Sequence, residues 1–269
     1  MKNLKFVFSL LLFVCFAATL SLGQGLELSP VRIDFSLEPG NSQAQTITVR
    51  NTTNKKASYT LTAADWYLDE YGNVIRQEKG SNKRSCADWI SFTPALVELE
   101  ANEAKEVTVS LNVPGREAAT KWALVYVTLK KEQTAPKADK DLAMGIEVNQ
   151  AIGLFITQSP RSNQNAKAKL GEFKDVTPAG SKEKKFIVRT QNVGDKILDC
   201  NMYLVISDLQ NAKEEKLDPV TFKVLPEGTA LTELSLPKKL DKGSYLIAAV
   251  LDYGPNYPLE GVQMQLDVK

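Results

Sequence analysis

The chain has 269 residues, of which 43% are hydrophobic and 24% charged, a composition typical of a globular protein with one large core or two smaller ones. Its formal net charge of +1 gives no reason to expect nucleic acid or an anionic membrane surface as a partner. The sequence contains no His, which excludes His-based nucleophile systems and His-ligated metal sites.

Residues 1–23 predict a secretory signal peptide. Lys2 and Lys5 form a positive n-region, residues 6–22 form an apolar h-region, and small residues at 21–23 suit a signal peptidase. An uncleaved membrane anchor is the alternative, because the apolar run is almost long enough to span a bilayer. No second apolar run of spanning length follows. We therefore expect an exported chain with no integral membrane segment after cleavage.

Residues 24–158 predict a first all-β domain. About seven extended segments follow one another, with turn signals at intervals of roughly ten residues, which is typical of an antiparallel sandwich. Pro30 suits the start of a strand, because it lacks the N–H that a ladder requires. Residues 121–129 carry apolar side chains on both faces and predict a strand buried on both sides.

The most informative segment is the predicted long strand at residues 145–157. Period-two alternation places five apolar side chains on one face: Ile146, Val148, Ile152, Leu154 and Ile156. The strand is about twice the usual length, and a charged, Pro-containing segment precedes it. Such a face is either buried by its own sheet, as in a central strand, or given to a partner.

Residues 159–168 predict a polar linker, and residues 169–269 predict a second β domain. The first domain has a Pro39-Gly40 turn followed by a strand that ends at Asn51, and the second domain repeats this pattern up to Asn192. The repeated pattern indicates two sandwiches of one type.

Two cysteines follow the leader, Cys86 and Cys200. They are predicted to lie in different domains as isolated buried residues, because free Cys is usually buried. A disulfide between the domains is the alternative, since an exported protein meets an oxidising environment. Two cysteines are too few for a Zn site, so we expect no metal.

The first half resembles the periplasmic chaperones of pilus assembly, the PapD-like family, whose architecture is two tandem immunoglobulin-like domains. The resemblance covers the exported chain up to about Pro160. Its carriers are strand and turn motifs spread over the first domain: residues 32–35, 37–40 with 47–51, 64–66, 94–99 with 107–109, and 152–155.

The resemblance implies that the long strand adds to an incomplete pilin subunit, with Ile146, Val148, Ile152 and Leu154 as donors. Backbone hydrogen bonds then give affinity and side-chain pockets give specificity. It also implies that the subunit's terminal carboxylate is held by an Arg, at the position of Arg32, and by a Lys. This sequence has Gly at the Lys position (residue 153), so half of the anchor is missing. The other reading of Arg32 is an ion pair, for instance with Asp34.

We therefore expect an all-β fold of two tandem immunoglobulin-like β-sandwich domains. The expected function is that of a non-enzymatic periplasmic chaperone or assembly factor, without catalytic residues or cofactor. Its expected partner is an exported pilus or surface subunit, bound by strand addition through residues 145–157. The predicted partner-binding set includes Arg32 and the apolar face that ends at Ile156. The alternative function is a structural or adhesion module of the cell envelope.

Overall fold

The computed structural model describes residues 25–130, 151–181, 183–237 and 240–268. Within these ranges the elements are strands, apart from a three-residue 3-10 helix at Ala87–Trp89. The predicted leader, and residues 145–150 of the predicted long strand, lie outside the described residues. No helix in the described ranges is long and apolar enough to cross a membrane.

The first domain is a sandwich of two sheets. One sheet has the strand order β1-β3-β8-β6, and the other has the order β2-β10-β9-β4-β5, with β7 beside β4. Their strands are β1 (Leu26–Ser29), β2 (Arg32–Phe35), β3 (Ser42–Asn51), β4 (Ala57–Leu68), β5 (Val74–Gln77), β6 (Ile90–Thr93), β7 (Leu96–Leu99), β8 (Ala104–Asn112), β9 (Lys121–Leu129) and β10 (Ala151–Gln158).

Strand β9 is buried on both faces, as its sequence predicts. Val125 and Val127 point into the core between the two sheets and are fully buried. Trp122 and Leu124 point the other way into a second cluster, where each has 3% of its surface exposed. A strand can be apolar on both sides only if something covers its outer face. In this chain the cover comes partly from the second domain, through Leu225.

The second domain is also a sandwich of two sheets. A three-stranded sheet has the order β11-β12-β16, and the other sheet has the order β14-β13-β17-β18, with β15 beside β13. Their strands are β11 (Ala168–Asp175), β12 (Lys184–Asn192), β13 (Leu198–Asp208), β14 (Glu214–Lys216), β15 (Val220–Val224), β16 (Thr229–Leu236), β17 (Gly243–Asp252) and β18 (Glu260–Val268). The protein is therefore all-β, with two immunoglobulin-like sandwiches in tandem.

The two domains share a buried asparagine at the end of a matching strand. The Nδ2 of Asn51 donates to the carbonyl of Lys55 at 2.7 Å and to that of Glu100 at 3.0 Å. The Nδ2 of Asn192 donates to the carbonyl of Lys196, also four residues on, at 2.7 Å and to that of Val224 at 3.0 Å.

In both domains the asparagine Oδ1 accepts from the backbone N–H two residues ahead, which belongs to Thr53 in the first and to Gly194 in the second. Both asparagines are fully buried. The repeat seen in the sequence therefore corresponds to the same hydrogen-bonded turn in each domain, in which a buried Asn ends a strand. We call this arrangement the asparagine corner.

The two cysteines are free and lie in separate cores. Cys86 is fully buried in the first core and Cys200 is 2% exposed in the second. Burial raises the pKa of each thiol to about 12. The predicted isolated buried cysteines are observed, and the alternative of a disulfide between the domains is absent from the described structure.

Replacing either corner asparagine by Ala should destabilise its own domain. Asn51→Ala leaves the carbonyls of Lys55 and Glu100 without their donor, and a buried unsatisfied group costs about 1–3 kcal/mol. We expect a loss of this size in the free energy of unfolding, measured in urea. All three Trp residues lie in the first domain, so their fluorescence reports Asn51→Ala, and circular dichroism reports Asn192→Ala.

The matched control is Asn54→Ala, because Asn54 is exposed in the same turn. Its effect should stay within about 0.5 kcal/mol, as for most surface substitutions. An Asn51→Ala variant no less stable than this control would contradict the corner's role.

Candidate functional site

The N-terminal segment changes sheets at Pro30. Before it, β1 pairs antiparallel with β3, from Leu26 opposite Asn51 to Ser29 opposite Thr48. After it, β2 pairs parallel with β10 in the other sheet, beginning with Arg32 opposite Phe155. Pro30 has no N–H to lose at this crossing. One short segment therefore contributes to both sheets, and it meets β10 late along that strand.

This crossing leaves the first half of β10 with an open edge. Strand β9 pairs with all eight residues of β10, whereas β2 pairs with residues 155–158 alone. The N–H of Phe155 donates to the carbonyl of Val31 at 2.9 Å, on the β2 side. Because backbone groups alternate sides along a strand, those of Ala151 and Gly153 face the same way. No described strand pairs with them there.

The predicted donor side chains on β10 serve their own domain in this structure. Leu154 and Ile156 are fully buried in the first core, and Ile152 packs partly buried against it. Ile146 and Val148 lie outside the described residues.

In the described arrangement, Leu154 and Ile156 are therefore covered by their own domain. The core between the two sheets buries the Leu154 and Ile156 side chains of the apolar face. A direct role of the predicted set in partner binding stays a prediction. The structure instead exposes the backbone edge beside these side chains.

Arg32 is engaged by an acidic neighbour on its own strand. Its Nε donates to both carboxylate oxygens of Asp34, at 2.9 and 3.0 Å. Partial burial raises the pKa of Asp34, but hydrogen bonds from Arg32 and Thr157 and the Arg32 charge outweigh it and hold this pKa below its usual value. The ion pair considered from the sequence is present, and a partner's carboxylate would have to compete with Asp34 for Arg32.

An aromatic cluster lies between the domains, on the outer face of the β10-β9-β4 sheet. Trp66, Trp122 and Leu124 of the first domain pack with Leu225 of the second. The ring of Phe155 meets that of Trp66 edge to face, with centroids 5.1 Å apart. This cluster gives the interface between the domains a packed apolar centre.

A charge cluster holds the domains together beside this apolar centre. Arg84 of the first domain forms ion pairs with Asp195 and, at 2.8 Å, with Glu227 of the second. Lys83 also reaches Glu227, at 2.6 Å. The backbone N–H of Thr120 donates to Asp195 at 3.1 Å.

Sequence reasoning missed this cluster, because Arg84 lies 111 residues from Asp195 and 143 residues from Glu227 along the chain. Arg84, Asp195 and Glu227 line a cavity between the domains. The open edge of β10 belongs to the sheet whose outer face packs against Leu225 of the second domain.

Comparisons with known proteins matched a family model and a set of solved structures. A family model described as an Fn3-like domain matches residues 36–142. No curated protein sequence matches the chain. Among solved structures, the chain is similar to one from the chaperone–tip adhesin complex of CFA/I fimbriae. The sequence identity is 14%, the aligned part covers 89% of this chain and 97% of that chain, and the TM-score is 0.47.

Two other similar structures are of the same kind. The class 5 fimbriae chaperone CfaA is 14% identical, with 91% and 99% of the two chains covered and a TM-score of 0.46. The structure of the Salmonella enterica SafA pilin in complex with the SafB chaperone matches at 12% identity, with 89% and 96% covered and a TM-score of 0.43. The chain is thus similar to fimbrial chaperones, as its motifs indicated. This similarity concerns the fold, which rests on the sheets described above.

Removing the Arg84 guanidinium should loosen the interface between the domains. Arg84 is 15% exposed and pairs with two carboxylates of the second domain, so Arg84→Gln leaves Asp195 without its cation. We expect a broader distribution of domain orientations and a larger radius of gyration in small-angle scattering. Lys79→Gln is the matched control, because Lys79 forms an exposed ion pair with Asp88 within the first domain. Equal scattering from both variants would contradict the role of Arg84 in holding the two domains together.

The same interface should weaken in acid. Hydrogen bonds and charge from Lys83 and Arg84 hold the pKa of Glu227 below its usual value. A depressed carboxyl pKa contributes stability that is present above the ordinary Glu value and is lost as the pH falls through the depressed one. Wild-type scattering should therefore approach that of Arg84→Gln over this range. A wild-type curve that does not change there would argue against the contribution of Glu227.

Proposed function

We propose that the protein is a non-enzymatic periplasmic chaperone or assembly factor that binds an exported pilus or surface subunit by strand addition. The proposed site is the first half of β10, where Ala151 and Gly153 turn their backbone groups toward an edge that no described strand occupies. This open edge is the observation that carries the proposal. Adding a strand would give each of these groups a hydrogen-bond partner.

The residues around the open edge favour pairing. Natural proteins usually protect free edges with charged residues, Pro, bulges or a covering segment. Strand β10 carries no charged residue. One exposed apolar side chain lies at the edge: Val31, 52% exposed, is where the β2 pairing begins. The edge therefore combines unpaired backbone groups with apolar surface, as a strand-addition site requires.

Two further observations support a chaperone function in particular. The motifs of the first domain resemble those of PapD-like chaperones, and the predicted leader indicates export. The similar solved structures include a chaperone–tip adhesin complex and a chaperone bound to a pilin. An exported subunit is the partner that fits this resemblance, and the periplasm is the proposed location.

The second candidate is a structural or adhesion module of the cell envelope. The second half of β10 favours it, because residues 155–158 have strands on both sides and Leu154 and Ile156 are buried. In that case the protein would present its loops to a ligand, and the open edge would bind no subunit.

The test uses Ala151→Pro in the full chain, expressed in its native envelope with a C-terminal tag. Proline removes the N–H that faces the open edge and leaves the ladder to β9 intact, because the lost group points away from β9. One hydrogen bond contributes about 0.5–1.5 kcal/mol, so co-purification of an exported subunit should fall roughly threefold to tenfold. Quantitative mass spectrometry of the tagged complex measures the change.

The matched control is Ala151→Ser, which keeps the N–H at the same exposed position. A charged substitution at Leu154 is a poor control, since it would bury a charge in the core and unfold the domain. Equal recovery of the subunit with Pro and with Ser would contradict strand addition at this edge. Absence of any stoichiometric exported protein would favour the envelope module.

A further inference from the structure

Gly153 leaves a gap in the row of side chains beside the open edge. On the outer face of the sheet its cross-strand neighbour is Tyr126 of β9, and Phe155 is the next residue of β10 on that face. A Cβ at position 153 would lie 3.0 Å from Cδ1 of Leu124, so the Leu124 side chain leans across the glycine. A glycine within a strand often marks a site that another group approaches closely. Leu124 itself is buried, whereas the rings of Tyr126 and Phe155 beside it are half-buried.

The Tyr126 ring beside this gap is held in place by a cation. The Cζ atom of Arg76 lies 4.1 Å from the centroid of the Tyr126 ring, within the range of a cation–π contact. Arg76 forms no ion pair with any described residue. The Tyr126 ring beside Gly153 therefore carries a positive charge that has no ion-pair partner among the described residues.

We propose that the strand added at this edge places a large aromatic side chain over Gly153. The inference rests on the proposed strand addition and specifies its partner. Neighbouring strands lie about 4.8 Å apart, so an added strand is about 10 Å from β9. Aromatic side chains that lean toward each other across a glycine reach the favoured centroid separation of about 4.5–7 Å. A ring from the partner would thus contact the Tyr126 ring across Gly153.

The same geometry disfavours other side chains at that position. Ala or Ser in the added strand would leave the exposed part of the Tyr126 ring in contact with water. Lys or Arg would meet the positive charge of Arg76. A cross-strand pair of large apolar side chains is the usual unit of stabilisation between strands, and Gly153 supplies none of its own. The partner's aromatic residue would take the place of the missing side chain.

The test measures binding of synthetic peptides to the full chain. The probes are ten-residue peptides of alternating Thr and Val, labelled with a fluorophore and differing at one central outer-face position, which carries Phe, Ala or Lys. Fluorescence anisotropy gives each dissociation constant. We expect the Phe peptide to bind about tenfold more tightly than the Ala peptide, because it adds one aromatic contact and buries more apolar area. The Lys peptide should bind most weakly.

Substitution of the glycine separates this inference from simple edge pairing. Gly153→Val fills the gap and should remove the preference for Phe over Ala. Gly261→Val is the matched control, because Gly261 lies in strand β18 of the second domain, where an added Cβ would meet no atom closer than 3.8 Å, and it should retain the preference. Thermal melting checks that both variants fold. If Gly153→Val does not fold, Tyr126→Ser replaces it and should also reduce the preference.

Each outcome distinguishes the two proposals. Equal binding of the Phe and Ala peptides to the wild type overturns the aromatic preference and leaves strand addition standing. Failure of all three peptides to bind overturns both. If the wild type is a dimer in sedimentation and Gly153→Val is a monomer, the edge is occupied by a second copy of this chain. That result overturns the assignment to an exported partner.

Discussion

The structure depends on one constraint, which is that a strand segment can pair with one sheet at a time. The N-terminal segment uses residues 26–29 to complete the first sheet and residues 32–35 to complete the second. Because it reaches β10 only at Phe155, the backbone groups of Ala151 and Gly153 have no partner among the described strands. Unpaired backbone groups beside apolar surface favour the addition of another strand. The sheet change at Pro30 therefore creates the candidate binding edge.

The two domains share one architecture but contribute differently to the candidate binding site. Asn51 and Asn192 build the same hydrogen-bonded corner, and each is buried in its own domain. The open edge and the aromatic outer face belong to the first domain. The second domain supplies Asp195 and Glu227 to the Arg84 cluster and covers part of the outer face of β9. It thus packs against the outer face of the sheet that carries the open edge.

Much of the fold could be predicted, because it follows from local patterns. Alternating side chains predicted β9 as a strand buried on both faces, and the repeated Asn predicted two related sandwiches. The candidate functional site was harder to predict from the sequence. Period two shows that Leu154 and Ile156 share a buried face, yet it cannot show whether their own sheet or a partner buries it. The Arg84 cluster joins residues 84, 195 and 227, and no local pattern links positions so far apart.

The sequence by itself determined the all-β class, the two-domain arrangement and the ion pair available to Arg32, because each depends on neighbours along the chain. The tertiary structure decided that Leu154 and Ile156 belong to the core. It also decided that the available part of β10 is its backbone edge and that Gly153 lies beside a Tyr126 ring fixed by Arg76. These features depend on which strands become neighbours in space, and strand order is set by the packing of the whole domain.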